Sequence, residues 1–185
     1  MPERESAMQQ VLSFWFTELT ADQWFKGSSE LDVLITRRFA ALLEQAGAGE
    51  LAHWRETATG RLAEIIVLDQ FSRNIYRNQA GAFARDGMAL ALSQEAVRSG
   101  ALQQLADENQ RSFLLMPYMH SESAQVHEQA VPLFGEFASA GSYQFELLHK
   151  AIIDRFGRYP HRNEVLGRES TVEELEFLRQ PGSSF

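Results

Sequence analysis

Apolar residues recur at intervals of three or four through most of this chain, which places them on one face of an α-helix. One clear example comprises Leu31, Leu34, Ile35, Leu42 and Leu43. No segment alternates apolar and polar residues for long enough to be a β-strand. The pattern therefore predicts an all-α protein of about eight or nine helices joined by short loops.

Polar residues and glycines at the ends of these segments predict where helices begin and end. The predicted N-caps of four helices are Ser29, Thr59, Asp86 and Ser142. Gly157 follows the last apolar residue of a long segment, where glycine commonly ends a helix in the left-handed conformation. A capping box, either Ser170 with Glu173 or Thr171 with Glu174, predicts one more helix after it.

Length and composition predict the class of protein. The 185 residues suit a single all-α domain covering 1–185, and 44% apolar residues are enough for a core. A net charge of -8 argues against general nucleic-acid binding, which needs a broad basic surface. Cysteine is absent from the sequence, so disulfides, thiolate nucleophiles and cysteine-ligated metals are excluded.

Targeting signals are not apparent in the sequence. Residues 1–6 show no basic segment leading into an apolar run, so no signal peptide is predicted. The most apolar run, residues 62–68, contains Glu64 and is far too short to span a bilayer. We therefore expect a cytoplasmic protein that is not attached to a membrane.

The stretch 155–168 concentrates hydrogen-bond donors, with four arginines, one histidine and one asparagine in fourteen positions. Two glycines and a proline prevent it from being a plain helix. Guanidinium groups suit carboxylates and phosphates, which they contact through paired N–H groups. The side chains of this stretch that could bind such a group are Arg155, Arg158, His161, Arg162 and Asn163.

A second polar group lies at the end of an apolar helical stripe. Leu62, Ile66, Asp69 and Arg73 are separated by four, three and four residues, and Asn74 follows directly. The spacing predicts that Asp69 and Arg73 point toward the interior. A buried charge is costly when it stands alone, so both side chains need further partners.

Histidines form a third group of candidates. His120 and Glu122 lie at the start of a predicted helix, with His127 seven residues beyond His120. Histidines with carboxylates can bind a metal, but this spacing matches no specific metal motif, and no metal or other cofactor is predicted. His149 lies on an apolar stripe, where a histidine is more often a hydrogen-bonded core residue than a catalyst.

Five ordered motifs carry a resemblance to a known family. They are residues 14–16 (Phe-Trp-Phe), 68–77 (Leu-Asp-Gln-Phe-Ser-Arg-Asn-Ile-Tyr-Arg), 82–86 (Ala-Phe-Ala-Arg-Asp), 117–122 (Pro-Tyr-Met-His-Ser-Glu) and 155–163 (Arg-Phe-Gly-Arg-Tyr-Pro-His-Arg-Asn). Together they resemble the bacterial domain-of-unknown-function 924 family from about Val11 to the C-terminus, with Ser72 where proline is expected. The resemblance implies antiparallel helix pairs stacked into a compact superhelix, similar to tetratricopeptide-repeat proteins. It implies no established reaction.

The function that we favour from the sequence is binding of a small anionic ligand or an acidic peptide end. The residues expected to contact the anion are Arg73, Arg158, His161 and Arg162. The residues expected to orient them, or to contact polar groups of the ligand, are Asp69, His120, Glu122 and His149.

Two alternatives remain open at this point. One is a hydrolase or metal-dependent enzyme, in which His120 or His149 is the general base and Asp69 or Glu122 orients it. The other is a structural or interaction protein, in which the arginines pair with internal acids and lock the helices together. An open pocket lined by these side chains would favour binding or catalysis, and a closed network would favour the lock.

Overall fold

A computed structural model describes residues 6–185, and within that range its regular secondary structure is entirely helical, with no β-strand. The all-α class predicted from the sequence is therefore confirmed. The α-helices are α1 (Ala7–Ser13), α2 (Ala21–Phe25), α3 (Ser29–Gly47), α4 (Ala58–Ile66), α5 (Ser72–Ile75), α6 (Asp86–Arg98), α7 (Ala101–Gln104), α8 (Glu108–Met119), α9 (Ala124–Phe137), α10 (Ala140–Phe156) and α11 (Val172–Leu178). Shorter turns lie between them, 3-10 at Ala52–Glu56, Ala80–Phe83 and Pro160–Arg162, and π-helical at Phe14–Glu18 and Val67–Phe71.

Helix α4 lies at the centre of the core, in contact with α1, α6 and α8. Seven of its nine residues are buried, as expected for a helix that is surrounded by others. The one buried charge in α4, Glu64, accepts two hydrogen bonds from Arg55, at 2.8 and 2.7 Å. A forked pair of this kind provides the partner that a buried carboxylate requires.

Aromatic rings fill the core beside α4. Phe71 contacts Phe39 at 4.7 Å between ring centroids, and the edge of Trp15 meets Phe71 at 5.9 Å and Phe113 at 5.3 Å. Edge-to-face and offset contacts at these distances stabilise aromatic pairs beyond the area that they bury. The rings hold the turn Phe14–Glu18, α3 and α8 around the turn Val67–Phe71 that follows α4, where the polar side chains of the candidate site begin.

Helices that are close in sequence pack side by side along the second half of the chain. Helix α8 contacts both α6 and α9, and α9 contacts α10. Short loops connect α8 with α9 and α9 with α10. The tetratricopeptide-like stacking of these pairs, which the family resemblance implies, stays a prediction.

Several helix ends match the sequence predictions and others differ. Thr171 and Glu174 form the capping box of α11, and Gly157 ends α10 with a φ of 69°, so both predictions are confirmed. Three predicted N-caps were wrong, because Ser28, Thr57 and Ser139 cap α3, α4 and α10 instead. The predicted cap Asp86 is also wrong, since it is the first residue of α6 and has a partner described below.

None of the helices within residues 6–185 combines the length and the apolar character that crossing a membrane requires.

Candidate functional site

A cavity of about 340 Å³ lies where the Ala80–Phe83 turn, the start of α6, the end of α8 and the Pro160–Arg162 turn meet. One part of its wall is polar and is formed by Asp86, His120, Ser121, Glu122 and Arg162. Another part is apolar and is formed by Phe83, Leu90, Pro117 and Leu166. Residues from distant parts of the sequence therefore line one space.

Asp69 is the buried acid behind this cavity, with 1% of its surface exposed. It lies in the π-helical turn Val67–Phe71, a type of widened turn that is frequent at functional sites. Its Oδ1 is 3.0 Å from Nη1 of Arg73, and its Oδ2 accepts a hydrogen bond from Gln70 at 3.2 Å. Burial alone would raise the pKa of Asp69, but His120 and Arg73 outweigh burial and hold this pKa below its usual value.

His120 is the first residue after α8 and its ring lies against Asp69. Nδ1 is 2.7 Å from Oδ1 of Asp69, and because that carboxylate only accepts, Nδ1 carries the proton and donates it. Within residues 6–185, the other ring nitrogen, Nε2, has no hydrogen-bond partner, and the residue lines the cavity. Burial and the charge of Arg73 lower the pKa of His120, so its ring is neutral near pH 7.

Arg73 joins Asp69 to Asp86 across the back of the site. Nη1 and Nη2 donate to the two carboxylate oxygens of Asp86 at 2.8 and 3.0 Å, a forked pair. Nη1 also donates to the main-chain carbonyl of Asp69 at 3.1 Å. The donors of Arg73 that face the site are therefore already bonded to the protein.

Arg162 differs from the other arginines because its guanidinium is buried and incompletely bonded. The residue is 4% exposed and lies over the rings of Phe83 at 4.4 Å and Tyr159 at 4.8 Å. Nη2 donates to the carbonyl of His120 at 2.9 Å, whereas Nη1 is 3.5 and 3.8 Å from Asp86 and Glu122. Nε has no partner, and burial lowers the pKa of Arg162.

Glu122 forms the opposite side of the cavity and is fixed from behind. Arg168 donates a forked pair to it at 2.9 and 3.0 Å, and the main-chain N–H of Tyr159 donates at 2.7 Å. Burial would raise the pKa of Glu122, but these donors outweigh it and lower the pKa. Glu122 is therefore an ionised acceptor that faces the cavity.

The charges of this network balance. Three carboxylates, Asp69, Asp86 and Glu122, lie among three guanidiniums, Arg73, Arg162 and Arg168. The stretch 155–168 supplies two of these three arginines. The site has zero net charge and contains one guanidinium, Arg162, whose hydrogen bonding is incomplete. It can therefore accept a single anionic group without a large excess of charge of either sign.

Tyr159 separates the cavity from a second group of histidines. His149 and His161 lie against its ring, at 5.7 and 5.9 Å, and both also contact Phe185. Burial lowers the pKa of His149 to about 3 and that of His161 to about 4, so both are neutral. Neither residue lines the cavity, although the sequence placed both in the candidate site.

The remaining candidates have partners outside the cavity lining. Arg158 makes a forked pair with Glu174 at 2.9 and 2.7 Å, and Asn163 donates to the same carboxylate at 3.2 Å. Asn74 donates to Asp32 at 2.9 Å. The exposed Arg155 lies over the ring of its neighbour at 4.5 Å. The structure therefore brings Asp69, Arg73, His120, Glu122 and Arg162 together and leaves the others around that centre.

Several residues of the site were missed from the sequence. Asp86 is predicted as a helix cap, and its pairing with Arg73, thirteen residues earlier, has no local sequence signal. Arg168 lies in the donor-rich stretch but was not included among the candidates. Phe83 and Tyr159 showed no sequence signal for their stacking on a guanidinium. Within the described range, no group of three or more acids and histidines is arranged to hold a metal ion.

Comparison with known proteins gives two matches and one negative result. A family model described as "Bacterial protein of unknown function (DUF924)" matches residues 11–182. A solved structure of a protein of unknown function, ATU0120 from Agrobacterium tumefaciens, is 33% identical, covers 92% of this chain and 96% of its own, and superposes with a TM-score of 0.87. No curated protein matches the chain.

Proposed function

The chain belongs to this bacterial DUF924 family of unknown function, and we propose that it is a binding protein that holds a small anionic ligand in the cavity beside Arg162 and His120. The chemistry of the cavity lining supports this function. The volume of about 340 Å³ lies near the lower end of the range of about 300 to 1,000 Å³ for small-molecule sites. A ligand with one anionic group and a short apolar part therefore fits it.

The observation that carries the proposal is the incomplete bonding of Arg162. A guanidinium has five N–H donors, and buried donors in proteins are nearly always satisfied. Arg162 is 4% exposed, yet it makes one short hydrogen bond and its Nε makes none. By contrast, Arg73 and Arg168 are forked onto carboxylates. An anion in the cavity would give Nη1 of Arg162 the short contact that Asp86 and Glu122, at 3.5 and 3.8 Å, do not provide.

The test is calorimetric titration of the protein with phosphate, sulfate, acetate and glycolate at constant ionic strength. We expect at least one anion to bind the parent, and Arg162→Ala to weaken that binding by about tenfold or more, as charged hydrogen bonds require. Arg162→Lys should lose most of the affinity too, because lysine lacks the planar fork. The matched control is Arg155→Ala, since Arg155 is exposed and does not line the cavity.

Two results would contradict the proposal. One is absence of binding by all four anions, and the other is an equal loss of binding in the Arg162 and Arg155 variants. Strong destabilisation of Arg162→Ala without any effect of anions on the parent would instead favour the internal lock.

The paired side chains Asp69 and His120 support a second candidate, a hydrolase that acts on an anionic substrate. The buried carboxylate fixes the Nδ1 proton, which leaves Nε2 able to take a proton from water, as a general base does. Turnover of p-nitrophenyl phosphate, an anionic ester, tests this candidate. A loss of about 100-fold or more in His120→Gln, the scale of general-base catalysis, would support it, and no turnover by the parent would contradict it.

A further inference from the structure

We propose that the cavity selects anions that carry a hydrogen-bond donor of their own, and that it therefore prefers inorganic phosphate to sulfate. This inference rests on the proposed anion-binding function and specifies the chemical class of the ligand. It follows from the directions of the hydrogen bonds around His120, which are set by its neighbours.

The first step concerns the ring nitrogens of His120. Asp69 is in contact with Nη1 of Arg73 at 3.0 Å and accepts from Gln70 at 3.2 Å, so its carboxylate is ionised and can only accept. The nitrogen at 2.7 Å from this carboxylate, Nδ1, must then carry the proton of the neutral ring. Nε2 is left with a lone pair, and the residue lines the cavity.

The second step concerns the charge of the His120 ring. The three carboxylates of the network are matched by three guanidiniums, among which Arg73 and Arg162 lie next to His120. A positive charge on the imidazole would be unmatched in a largely buried site, which is costly. The ring therefore stays neutral, and Nε2 is an acceptor and not a donor.

The third step concerns the rest of the polar wall. Asp86 and Glu122 also line the cavity, and both carboxylates accept hydrogen bonds from arginines and keep further lone pairs. Arg162 is the donor among these charged side chains. The hydroxyl of Ser121 can donate as well. A bound anion thus faces two donor side chains, Arg162 and Ser121, and three acceptors, Asp86, Glu122 and Nε2 of His120.

Phosphate and sulfate differ in whether they carry an O–H group that can donate to the acceptors of this wall. Near neutral pH both ionic forms of inorganic phosphate keep at least one O–H, whereas sulfate has none. A phosphate oxygen can accept from Arg162 while its O–H donates to Nε2 of His120 or to a carboxylate. Sulfate would place unprotonated oxygens against those lone pairs, which leaves the acceptors unsatisfied. Among carboxylates, glycolate differs from acetate in the same way.

Calorimetric titration of the parent protein at pH 7.5 and constant ionic strength tests this selectivity. We expect phosphate to bind at least about tenfold more tightly than sulfate, the scale set by an unsatisfied buried acceptor. Glycolate and acetate form the second pair, which shows whether the donor-bearing anion is a phosphate or a carboxylate. Affinities within about twofold in both pairs would overturn the inference and leave anion binding itself intact. If none of the four anions binds, the proposed function is overturned as well.

Two further measurements locate the cause of the selectivity. In the His120→Gln variant the side-chain amide can turn to offer the anion either an N–H or an oxygen. The preference for phosphate over sulfate should therefore fall to about threefold or less, while sulfate still binds. A preference that survives in this variant would remove His120 from the explanation. Nitrogen-15 NMR of the parent should show the His120 proton on Nδ1, and a proton on Nε2 would overturn the inference directly.

Discussion

His127 and Glu146 form a pair in the interior whose proton count follows from geometry. Both side chains are fully buried, and Nδ1 of His127 is 2.6 Å from Oε1 of Glu146. The other nitrogen, Nε2, is 2.7 Å from the carbonyl of Ser121, which can only accept, so Nε2 carries a proton. One proton is left between Nδ1 and the carboxylate, and the pair is neutral as a whole. Burial raises the pKa of Glu146, which favours retention of that proton.

Removal of the histidine from this pair is expected to be costly. His127→Ala should lower the free energy of unfolding by about 3 to 5 kcal/mol, the loss when one partner of a buried pair is removed. His53→Ala is the control, because His53 is exposed and such changes stay within about 0.5 kcal/mol. The measurement is urea unfolding at pH 7. Equal effects of the two substitutions would show that the pair does not stabilise the fold.

The same pair limited what the sequence could predict about single residues. His127 was noted for its distance in sequence from His120 and for the chance of a shared metal site. Its partner Glu146 lies nineteen residues further on in another helix, and no local pattern joins them. The burial of Asp69, by contrast, could be predicted from the apolar stripe, because helical spacing depends only on residues that are close in sequence.

At the scale of helices, the existence of most segments could be predicted, but their first residues could not. Ser28 and Ser29 are adjacent and chemically alike, and only the folded backbone decides that Ser28 accepts from the N–H of Leu31. Thr57 was missed in the same way, since Thr59 lies two residues later. The π-helical turn that contains Asp69 also lacks a sequence signal, because regular helical spacing assumes 3.6 residues per turn.

Gly157 and Gly141 lie at opposite ends of helix α10 and allow a matched test of helix ends. Gly157 has a φ of 69°, and no atom lies within 4 Å of an added Cβ, so alanine meets only the left-handed penalty. Gly157→Ala should therefore destabilise the protein by about 1 kcal/mol. Gly141→Ala, in the first turn of the same helix and also without a clash, should be neutral or stabilising by up to about 1 kcal/mol. Denaturant melts of both variants measure the change in the free energy of unfolding. Destabilisation by both substitutions would contradict this account.

At the scale of the whole molecule, the polar network connects the stretch 155–168 to helices that already pack together in the core. The π-helical turn after α4 supplies Asp69, the start of α6 supplies Asp86, and the end of α8 leads into His120. The stretch 155–168 closes the network through Arg162 and Arg168. The sequence indicated three polar clusters, but the pairing of each arginine with its acid depends on the path of the loops, which helical periodicity does not describe.

The neutral histidines of this region make the stability of the whole fold dependent on pH. Burial lowers the pKa of His149 to about 3 and that of His161 to about 4, and it also lowers the pKa of His120. Between these values and the unfolded value of about 6.5, the unfolded chain binds more protons than the folded protein. The free energy of unfolding therefore falls as pH decreases from about 6.5. Glu146 acts in the opposite direction, because burial raises its pKa, but one carboxyl opposes three histidines.

We therefore expect the free energy of unfolding, measured by urea melts at fixed ionic strength, to decrease steadily from pH 7 to pH 5. Each histidine contributes at most about 1.4 kcal/mol per pH unit, the value for one proton. The partners of Glu122 and Glu174 lower the pKa values of these carboxyls. Their protonation therefore reduces the free energy of unfolding only in stronger acid, and the measurement stays above pH 5 for this reason. The control is His149→Gln, which cannot titrate and should show a shallower decrease than the parent. A stability that is constant or rises from pH 7 to pH 5, or an equal slope in the variant, would mean that these histidines are not held neutral by the fold.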